Sequence, residues 1–554
     1  MMKNLNDPLV NYRLFFKVFL LMVLVYTLFV TKPWTNVSGF IYGGDDHSYF
    51  AYTNSLVNDL DLDFSNNDYN DYKEISSEFT KTNRIINPHP IGTGLLLIPF
   101  YALAKPVVIL LNSVLKQPFN QKDPVFFIFM CSGIVLYMFL GCFFLYKSLL
   151  RLGFSLAVSL SSSLMIVWGT ILPIYAFKRP IFTHVPEFFL ISLLLLLLIK
   201  FRKQGVIKLH QVVILGILNG LIMVTRFNNV HILFFSLCFL FFSNPRFLKQ
   251  KSVVFNKIAV ISIALISALL LIILTQGLAW IYFYGGFFHI PFKILIPANA
   301  IMVKSSLIYE ILTGLKSLVH TFFGVDWGLI FTMLPFVIGI VSAIIFVPLN
   351  IYSGKNGKMI ERLVYLLVFM VPFFIVVKWQ KQGCFYGYRY LLSILPFCCL
   401  GFAAFLDRLI KKYKEKISNK LVIGSIMLVA INFLLILPFE YTTETTLTPQ
   451  ISTMGGFGWV NNQYVVNAVK FYFVSGPKKI AGAFARGFLG AYAFGAISIV
   501  RPDKLDKFQE AKVIEYYKID SINKVSVLFY PLIVFGFLFS ADFIIRKRVY
   551  GRSR

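Results

Sequence analysis

The apolar run LFFKVFLLMVLVYTLFV occupies residues 14–30, and GGDDHSYFAYTNSL follows at residues 43–56. A helix needs roughly 20 predominantly apolar residues to cross the hydrocarbon core of a membrane, and the run comes close to that length. The TKPWTN that follows it has no small-residue cleavage pattern, so we expect a retained span and not a signal peptide. Asp45 and Asp46 therefore place a doubled negative charge just beyond the first predicted span.

The composition of the whole chain agrees with this first segment. Hydrophobic residues make up 57% of the chain and charged residues 14%, and the mean hydropathy is +0.73. Soluble domains average about 45–50% apolar and about 25% charged residues, so we predict an all-α polytopic membrane protein. The net charge of +28 could indicate nucleic-acid binding. Basic residues in short loops on one side encode topology instead, so we expect no nucleic-acid partner.

The apolar runs predict about twelve transmembrane helices. On one side of this assignment, seven segments contain 27 lysines and arginines but only three acids. By the positive-inside rule, both termini are cytoplasmic, and Asp45 lies on the extracytoplasmic side of the cytoplasmic (inner) membrane. The predicted spans are 14–31, 125–147, 156–176, 185–200, 211–225, 228–243, 258–280, 328–350, 363–378, 390–407, 421–438 and 526–545.

One further segment, 92–115, is apolar enough to span but is excluded from this count. Including it would invert every later loop and place the basic segments outside. Pro99 and Pro106 would also each remove a helix hydrogen bond. We expect an amphipathic or re-entrant helix at the outer surface. The predicted organisation is a transmembrane core at 1–438 with a first outer loop at 32–124, an outer loop or small domain at 439–525, and a last span with a basic tail at 526–554.

The acidic pair precedes a segment with helical spacing. Tyr49, Tyr52 and Leu56 recur at intervals of three to four residues, so Asp45 and Asp46 fall at a helix N-terminus, where the macrodipole favours anions. One interpretation is a simple helix cap. The other is a catalytic base at the membrane boundary, whose pKa we expect to be raised by partial desolvation and by the neighbouring like charge.

A second acidic stretch, NDLDLDFSNND, alternates Asp59, Asp61 and Asp63. An EF-hand loop would need a glycine at its sixth position and a glutamate at its twelfth, and neither is present. The stretch favours a solvated turn over a calcium site. The cysteines likewise show no zinc or disulfide spacing, and no metal site is predicted.

Cations and histidines recur in the predicted outer loops. Arg84 and His89 lie in NRIINPHP, where prolines make the backbone irregular; His89 is either a ligand or part of a turn. Lys178, Arg179 and His184 lie in the short outer loop FKRPIFTH, where two basic residues oppose the positive-inside trend. They require an anion, either a lipid headgroup or a substrate phosphate.

Two later stretches add to this set. Arg226 lies in the tight outer turn TRFNN, and Arg389 lies between Tyr388 and Tyr390 at the start of a span. A guanidinium between aromatic rings suits bidentate phosphate recognition, although aromatic anchoring at the interface is the alternative. Acids and cations on one face could bind a lipid-linked phosphate and deprotonate a hydroxyl beside it. The predicted substrate contacts are His89, His184, Tyr388 and Tyr49.

These motifs, in their order, resemble the GT-C glycosyltransferase superfamily. The likeness is to its protein O-mannosyltransferase-like and aminoarabinose-transferase-like branches, over most of residues 14–410. The 439–525 loop has no counterpart there. The segments that carry the resemblance are GGDDHSYFAYTNSLVNDLDLDF, NPHPIGTGLLLIPFYAL, FTH at 182–184, GLIMVTRFNN, GVDWGLIFTMLP at 324–335 and YGYRYLLSILP.

The resemblance implies many spans with juxtamembrane helices in the first outer loop. It implies inverting transfer of a sugar from a polyprenyl-phosphate donor to a lipid, glycan or protein acceptor outside the membrane. The family's base is the first acid after the first span, which is Asp45 here; Asp46 stands where glutamate is common and has a shorter reach. Some branches use a divalent metal, but none is expected here, nor any other cofactor. Donor-phosphate contacts map to Arg389 first, and then to Lys178, Arg179 and Arg84.

Two other classes remain open. Twelve spans with both termini inside also fit a multi-span transporter or a flippase. No internal repeat is evident, however, and few ionisable residues fall within the spans. A lipid-linked glycan polymerase or ligase would share the donor chemistry, and the 439–525 loop keeps that alternative open.

Overall fold

In the residues that the computed structural model describes, the regular structure is helical apart from one two-residue parallel pairing, Val206–Ile207 (β1) with Arg246–Phe247 (β2). The predicted 439–525 loop lies outside the described residues except for residue 473. The structure describes residues 8–29, 44–65, 82–116, 124–177, 179–204, 206–242, 246–247, 253–287, 307–324, 328–346, 348–349, 357–379, 388–413, 423–436, 473 and 526–550.

The described part contains eighteen α-helices, with short 3₁₀ turns at Phe227–Asn229 and Arg389–Ile394 and a π-turn at Ile273–Gly277. The helices are α1 Pro8–Phe29, α2 Gly44–Asn58, α3 Gly92–Leu115, α4 Pro124–Leu152, α5 Leu156–Trp168, α6 Leu172–Phe177, α7 His184–Gln204, α8 Leu209–Thr225, α9 Val230–Phe242, α10 Val253–Ile272, α11 Leu278–Tyr284, α12 Leu307–Phe323, α13 Leu329–Thr332, α14 Leu334–Phe346, α15 Gly357–Trp379, α16 Leu395–Tyr413, α17 Ile423–Ile436 and α18 Ser526–Tyr550.

Seven helical segments in the described residues are long and apolar enough to cross a membrane. Six of them coincide with predicted spans, and the seventh is the excluded segment in α3. The number of crossings stays a prediction, because length and composition alone identify these segments. They are Tyr12–Phe29, Gly92–Val114, Val125–Leu152, His184–Gln204, Lys257–Tyr284, Gly357–Val376 and Arg389–Tyr413.

Five of the six remaining predicted spans correspond to shorter apolar helices, and the sixth, 526–545, lies within the 25-residue α18. The predicted span 156–176 is divided: α5 ends where Gly169 donates its backbone N–H to the Met165 carbonyl oxygen at 2.8 Å. The predicted span 328–350 is divided at Met333, which separates α13 from α14. Such breaks are tolerated inside a helical bundle when neighbouring helices provide hydrogen-bond partners for the freed backbone groups.

The core is built from apolar helix faces in close contact. Helix α4 packs lengthwise on α7, where a side chain at Gly141 would collide with the Phe188 ring. Aromatic rings of α1 join this core: Phe15 stacks on Tyr146 of α4 with ring centroids 5.0 Å apart. Dispersion among such rings supplies much of the packing energy where lipid removes the usual hydrophobic driving force.

Helices α2 and α3 lie in the predicted first outer loop, as expected for that loop. Helix α3 lies along only the first half of α4, since Tyr101 stacks on Phe126 at 4.0 Å and Tyr137 donates to the Leu96 carbonyl oxygen at 2.8 Å. The second half of α4 faces α7, beginning where Tyr137 stacks on Phe189. Helix α3 therefore occupies one end of the bundle, the end that also holds Asp45.

Candidate active site

Asp45 and Asp46 lie in the first turn of α2, as the sequence predicted, because the helix begins at Gly44. Successive helical residues point about 100° apart, and the two side chains reach different surroundings. The Asp45 side chain is 32% exposed, whereas Asp46 is 2% exposed and its charge acts on the Cys131 thiol of α4. Asp45 is thus the member of the pair that solvent and ligands can reach.

Hydrogen bonds hold the segment before α3 against α2. Asn87 donates from Nδ2 to the Ser48 carbonyl oxygen at 2.8 Å, and its Oδ1 accepts the His89 backbone N–H at 3.1 Å. Tyr52 donates to the His89 carbonyl oxygen at 3.1 Å, and the Tyr49 ring meets the imidazole edge-on. The irregular backbone predicted here therefore orients His89 toward the first turn of α2.

The Asp45 carboxylate lies between two cationic or potentially cationic groups. Its Oδ2 is 3.4 Å from Nη2 of Arg389, and its Oδ1 is 3.6 Å from Nε2 of His89. Arg389 opens the 3₁₀ turn before α16, with its guanidinium 5.2 Å from the centre of the Phe182 ring and 5.4 Å from that of Tyr390. A planar guanidinium held between rings keeps its N–H fork aimed in one direction.

Two further arginines act on Asp45 without pairing directly with it. Arg226 follows the last residue of α8, and its guanidinium lies 4.3 Å from the centre of the Tyr390 ring. Arg179 lies in the turn between α6 and α7 and is 8% exposed. Both charges contribute to the electrostatics of Asp45. Tyr390 thereby contacts two guanidiniums at once, and three arginines converge on one carboxylate.

This convergence reverses the expectation of a raised pKa at Asp45. Burial, the largest single contribution, raises the pKa of Asp45, but His89, Arg389, Arg226 and Arg179 together lower it below its ordinary value. The sequence-based prediction was wrong because it included desolvation and the neighbouring acid but could not place the cations. Asp45 is accordingly ionised at neutral pH.

His89 is neutral under the same conditions. Burial lowers the pKa of His89; Asp45 opposes this shift, while Arg389 and Arg226 reinforce it. A neutral imidazole beside a carboxylate can accept or donate a hydrogen bond depending on its tautomer. Asp45 and His89 therefore form a polar pair able to contact a hydroxyl.

Behind this outer layer lies a second carboxylate, Glu187, in the first turn of α7. Its side chain is 0% exposed, with Oε2 3.6 Å from Nη1 of Arg226 and 3.7 Å from Nδ1 of His184. Arg226 Nη1 is also 3.2 Å from His184 Nδ1. Because a guanidinium can only donate, Nδ1 of His184 must accept, so His184 is neutral with its proton on Nε2. Arg226 is then the only cation beside Glu187 in this described cluster.

A small polar cavity adjoins Glu187 and Arg226. Pro372 and Ile375 of α15 form part of its wall. His231 donates from Nδ1 to the Asn228 carbonyl oxygen at 2.8 Å, since a carbonyl can only accept. The remaining lining residues are Asn228, Asn229, His231, Tyr390 and Ser393.

The structure brings most of the predicted site residues to one place. The first turns of α2 contribute Asp45 and Tyr49, and the groups that act on them come from His89, Arg179 and Arg389. His184 lies behind them and is fully buried. Tyr388 precedes the 3₁₀ turn and is 6% exposed. Their individual roles stay predictions.

Two predicted phosphate ligands, Lys178 and Arg84, are not part of this group around Asp45. Lys178 lies outside the described residues. Arg84 stacks on Tyr282 at 3.6 Å, and the charges of Asp61 and Asp63 act on the same tyrosine.

The acidic stretch at Asp59–Asp63 contains a hydrogen bond typical of a simple turn, since Ser65 donates its backbone N–H to Asp63 at 2.9 Å. No group of three His, Cys, Asp or Glu residues in the described ranges is placed to hold a metal, and metal independence stays a prediction.

Sequence reasoning did not assign two residues that the structure places here. Arg226 stood out as a basic residue opposing the charge rule but was given no role. Glu187 was not singled out, although it is an acid in the first turn of an apolar helix, and ionisable residues in such segments usually serve function. Its partner could not be identified from sequence, because the contact depends on how α7 packs on α8.

Comparisons with known proteins find a distant likeness to solved structures. No protein-family model matches the chain, and no curated protein does. Among solved structures, the apo oligosaccharyltransferase of Archaeoglobus fulgidus has a TM-score of 0.43 and 12% identity, covering 94% of this chain and 61% of that one. The form tethered to an acceptor peptide with the NVT sequon gives 0.42 and 12%, over 92% and 59%.

A third structure is archaeal oligosaccharyltransferase AglB from Archaeoglobus fulgidus in complex with an inhibitory peptide and a dolichol-phosphate. It gives a TM-score of 0.39 and 13% identity, covering 93% of this chain and 60% of that one. The chain thus spans about three fifths of the length of the structures it matches. The likeness is too distant to assign a function, which must be argued from the site.

Proposed function

We propose that this protein is a membrane glycosyltransferase that moves a sugar from a polyprenyl-phosphate donor to an acceptor hydroxyl on the extracytoplasmic side. The observation that carries the proposal is the partly exposed Asp45 carboxylate facing Arg389 at 3.4 Å and His89 at 3.6 Å. Arg226 and Arg179 add two charges to the same place. A base beside a cationic cluster is what glycosyl transfer with a phosphate leaving group requires.

The proposed step is an inverting displacement. Asp45 takes the proton of the acceptor hydroxyl, whose oxygen attacks the anomeric carbon from the face opposite the phosphate. The bond between the anomeric carbon and the phosphate oxygen breaks, and the polyprenyl phosphate leaves with the bonding electrons. Its phosphate gains one negative charge as it departs, and the arginines stabilise that charge where it develops.

Arg389 has two competing anions in this scheme. Without donor it pairs with Asp45, which keeps the pKa of that carboxyl low and makes it a weak base. A donor phosphate that takes the guanidinium relieves Asp45 of one positive neighbour. Donor binding therefore prepares the base.

Turnover of a defined donor panel tests the proposal. Purified protein in nanodiscs is given undecaprenyl-phosphate sugars, with membranes from a host strain lacking the gene as the source of acceptor. Released undecaprenyl phosphate is then measured. We expect release from one donor, and Asp45→Asn should slow it by about 10²–10⁴-fold, the usual worth of a positioned base.

The matched control is Asp407→Asn, since Asp407 forms an exposed ion pair with Lys411 within α16. This variant should keep full turnover. Binding of undecaprenyl phosphate, followed by native mass spectrometry, should survive in Asp45→Asn. Wild-type turnover in that variant would contradict the assigned base, and a wild-type protein that binds no undecaprenyl phosphate would rule out the donor class.

A further inference from the structure

Glu187 forms an unusual contact for a buried carboxylate. Neither of its oxygens has a hydrogen bond within 3.5 Å among the described residues, although the side chain is fully enclosed. Its closest cationic atom is Nη1 of Arg226 at 3.6 Å. Buried carboxylates are usually hydrogen-bonded several times over, because desolvation is costly. The electrostatic attraction to Arg226 is the largest compensation for burying Glu187, and the Asn229 side chain adds a smaller one.

Arg226 has a second carboxylate within its reach. Its charge acts on Asp45, yet no ion pair joins the two in the described residues; Asp45 pairs there with Arg389 and His89. Arg226 is directed instead toward Glu187, with its planar group over the Tyr390 ring. The guanidinium thus lies between two anions and is drawn to the inner one.

We propose that Glu187 is a positioning residue that holds Arg226 back from Asp45, so that Arg226 stays available as a second contact for the donor phosphate beside Arg389. The inference rests on the proposed function and goes beyond it by giving the inner carboxylate a role. His184 supports the same arrangement, since its neutral Nδ1 accepts from Arg226 at 3.2 Å and adds no competing charge.

Removing the charge of Glu187 has a specific consequence. Glu187→Gln keeps the shape of the side chain but leaves Arg226 buried without a counter-charge, an arrangement that proteins rarely tolerate. The guanidinium then turns to Asp45, the other carboxylate on which its charge acts. One contact to the donor phosphate is lost, although neither Arg226 nor Arg389 has been changed.

The experiment measures binding of undecaprenyl phosphate to the full-length protein in nanodiscs by native mass spectrometry. Glu187→Gln should weaken binding by about 10–100-fold, the value of one charge-assisted contact. Arg226→Gln should weaken it to a similar extent. The double variant should bind no more weakly than either single one, because both remove the same contact.

The decisive measurement is whether a second substitution, at Asp45, restores the affinity that Glu187→Gln loses. In the Glu187→Gln background, Asp45→Asn removes the carboxylate that captures Arg226, and affinity should return to that of Asp45→Asn alone. Glu187→Asp keeps the charge and should retain affinity within a few-fold. Glu361→Gln is the matched control: Glu361 is 1% exposed but lies at the opposite end of the bundle, and this variant should bind as the wild type does.

The outcomes separate two failures. Wild-type protein that does not bind undecaprenyl phosphate overturns the proposed function. Wild-type binding that Glu187→Gln leaves unchanged, or weakens without rescue by Asp45→Asn, overturns the positioning role and leaves the proposed function standing. Weakening with rescue supports both.

Discussion

Helix α7 carries a buried charge cluster at each end, and the two clusters are built differently. At its C-terminal end, Arg202 donates to the Leu349 carbonyl oxygen, and Glu361 accepts the Leu349 backbone N–H at 2.9 Å. At its N-terminal end, Glu187 and Arg226 face each other at 3.6 Å without a hydrogen bond to the carboxylate in the described residues. Asp45, in the outer cluster, is also partly open to solvent.

The difference matches a structural role for the cluster at Leu349 and the proposed function for the cluster at Asp45. The cluster at Leu349 uses its charges to satisfy backbone groups, which connects α7, α15 and the segment after α14. The cluster at Asp45 contains three arginines and two carboxylates. Its arginine–carboxylate distances of 3.4 and 3.6 Å are long enough that a bound anion can take over one of the arginines. Active sites commonly keep such incompletely satisfied groups, at a cost in stability that other regions offset.

Breaking the structural cluster should have the largest effect on stability. Glu361→Ala removes the acceptor for the Leu349 N–H and the negative charge that acts on Arg202. A buried N–H left without its acceptor costs about 1–3 kcal/mol, and the lost attraction to the partly exposed Arg202 adds a smaller amount. Thermal denaturation in detergent should show a clear fall in melting temperature.

That variant should leave the affinity of the folded protein for undecaprenyl phosphate unchanged. A drop in affinity at temperatures where the variant is still folded would show that the two clusters are coupled, and would remove the basis for the comparison.

The functional cluster should respond in the opposite way. Arg389→Gln removes the cation closest to Asp45 and should weaken binding of undecaprenyl phosphate by about 10–100-fold. Its melting temperature should change little, since Arg389 contributes to a site that a ligand completes. Arg408 is a suitable control because it also packs on a ring, that of Phe346 at 4.0 Å. Arg408→Gln should retain affinity; equal losses in both variants would contradict a specific site.

The aromatic ring between the arginines offers a finer test. Tyr390 lies 4.3 Å from the Arg226 guanidinium and 5.4 Å from that of Arg389. A cation–π contact is worth about 0.5–2 kcal/mol, so Tyr390→Leu should weaken undecaprenyl phosphate binding by roughly 2–30-fold. Tyr390→Phe keeps the ring and should bind nearly as wild type. If both variants weaken binding equally, the hydroxyl and not the ring matters.

The sequence predicts features that depend on neighbouring residues better than it predicts contacts between distant segments. Helix positions follow from apolar runs, because each run must bury or cover its own hydrocarbon surface, and six predicted spans match helices of sufficient length. The first turn of α2 at Asp45 was equally predictable, since helical spacing and the acidic pair are local signals.

Pairings between distant segments were less accessible. Arg389 was expected to face Asp45 only because both fell on the same predicted side and because the family resemblance pointed to them. Arg226 and Glu187 depend on the way α7 packs beside α8, which no local pattern records. The predicted direction of the Asp45 pKa shift was wrong for the same reason, because cations on other segments set that direction.

Acidification should give the smallest effect, and it tests the electrostatics directly. His89 has a lowered pKa in the folded protein, owing first to burial, so the unfolded chain binds its proton at a higher pH. Its contribution to stability is complete above the ordinary histidine pKa of about 6.5 and is lost as the pH falls below it. Asp45 also has a lowered pKa, but its contribution persists down to the ordinary aspartate value, about 3.9.

Between pH 7 and pH 5, melting temperature should therefore decline, with His89 as one contributor beside the buried His184 and His231, while Asp45 has no effect. His89→Gln should make this decline shallower, and the exposed His210 provides the control, since His210→Gln should leave it unchanged. An unaltered decline in His89→Gln would mean that the imidazole gains its proton freely in the folded state. The field of Arg389 and Arg226 would then be weaker at the outer cluster than their positions indicate, and Asp45 would be correspondingly more basic.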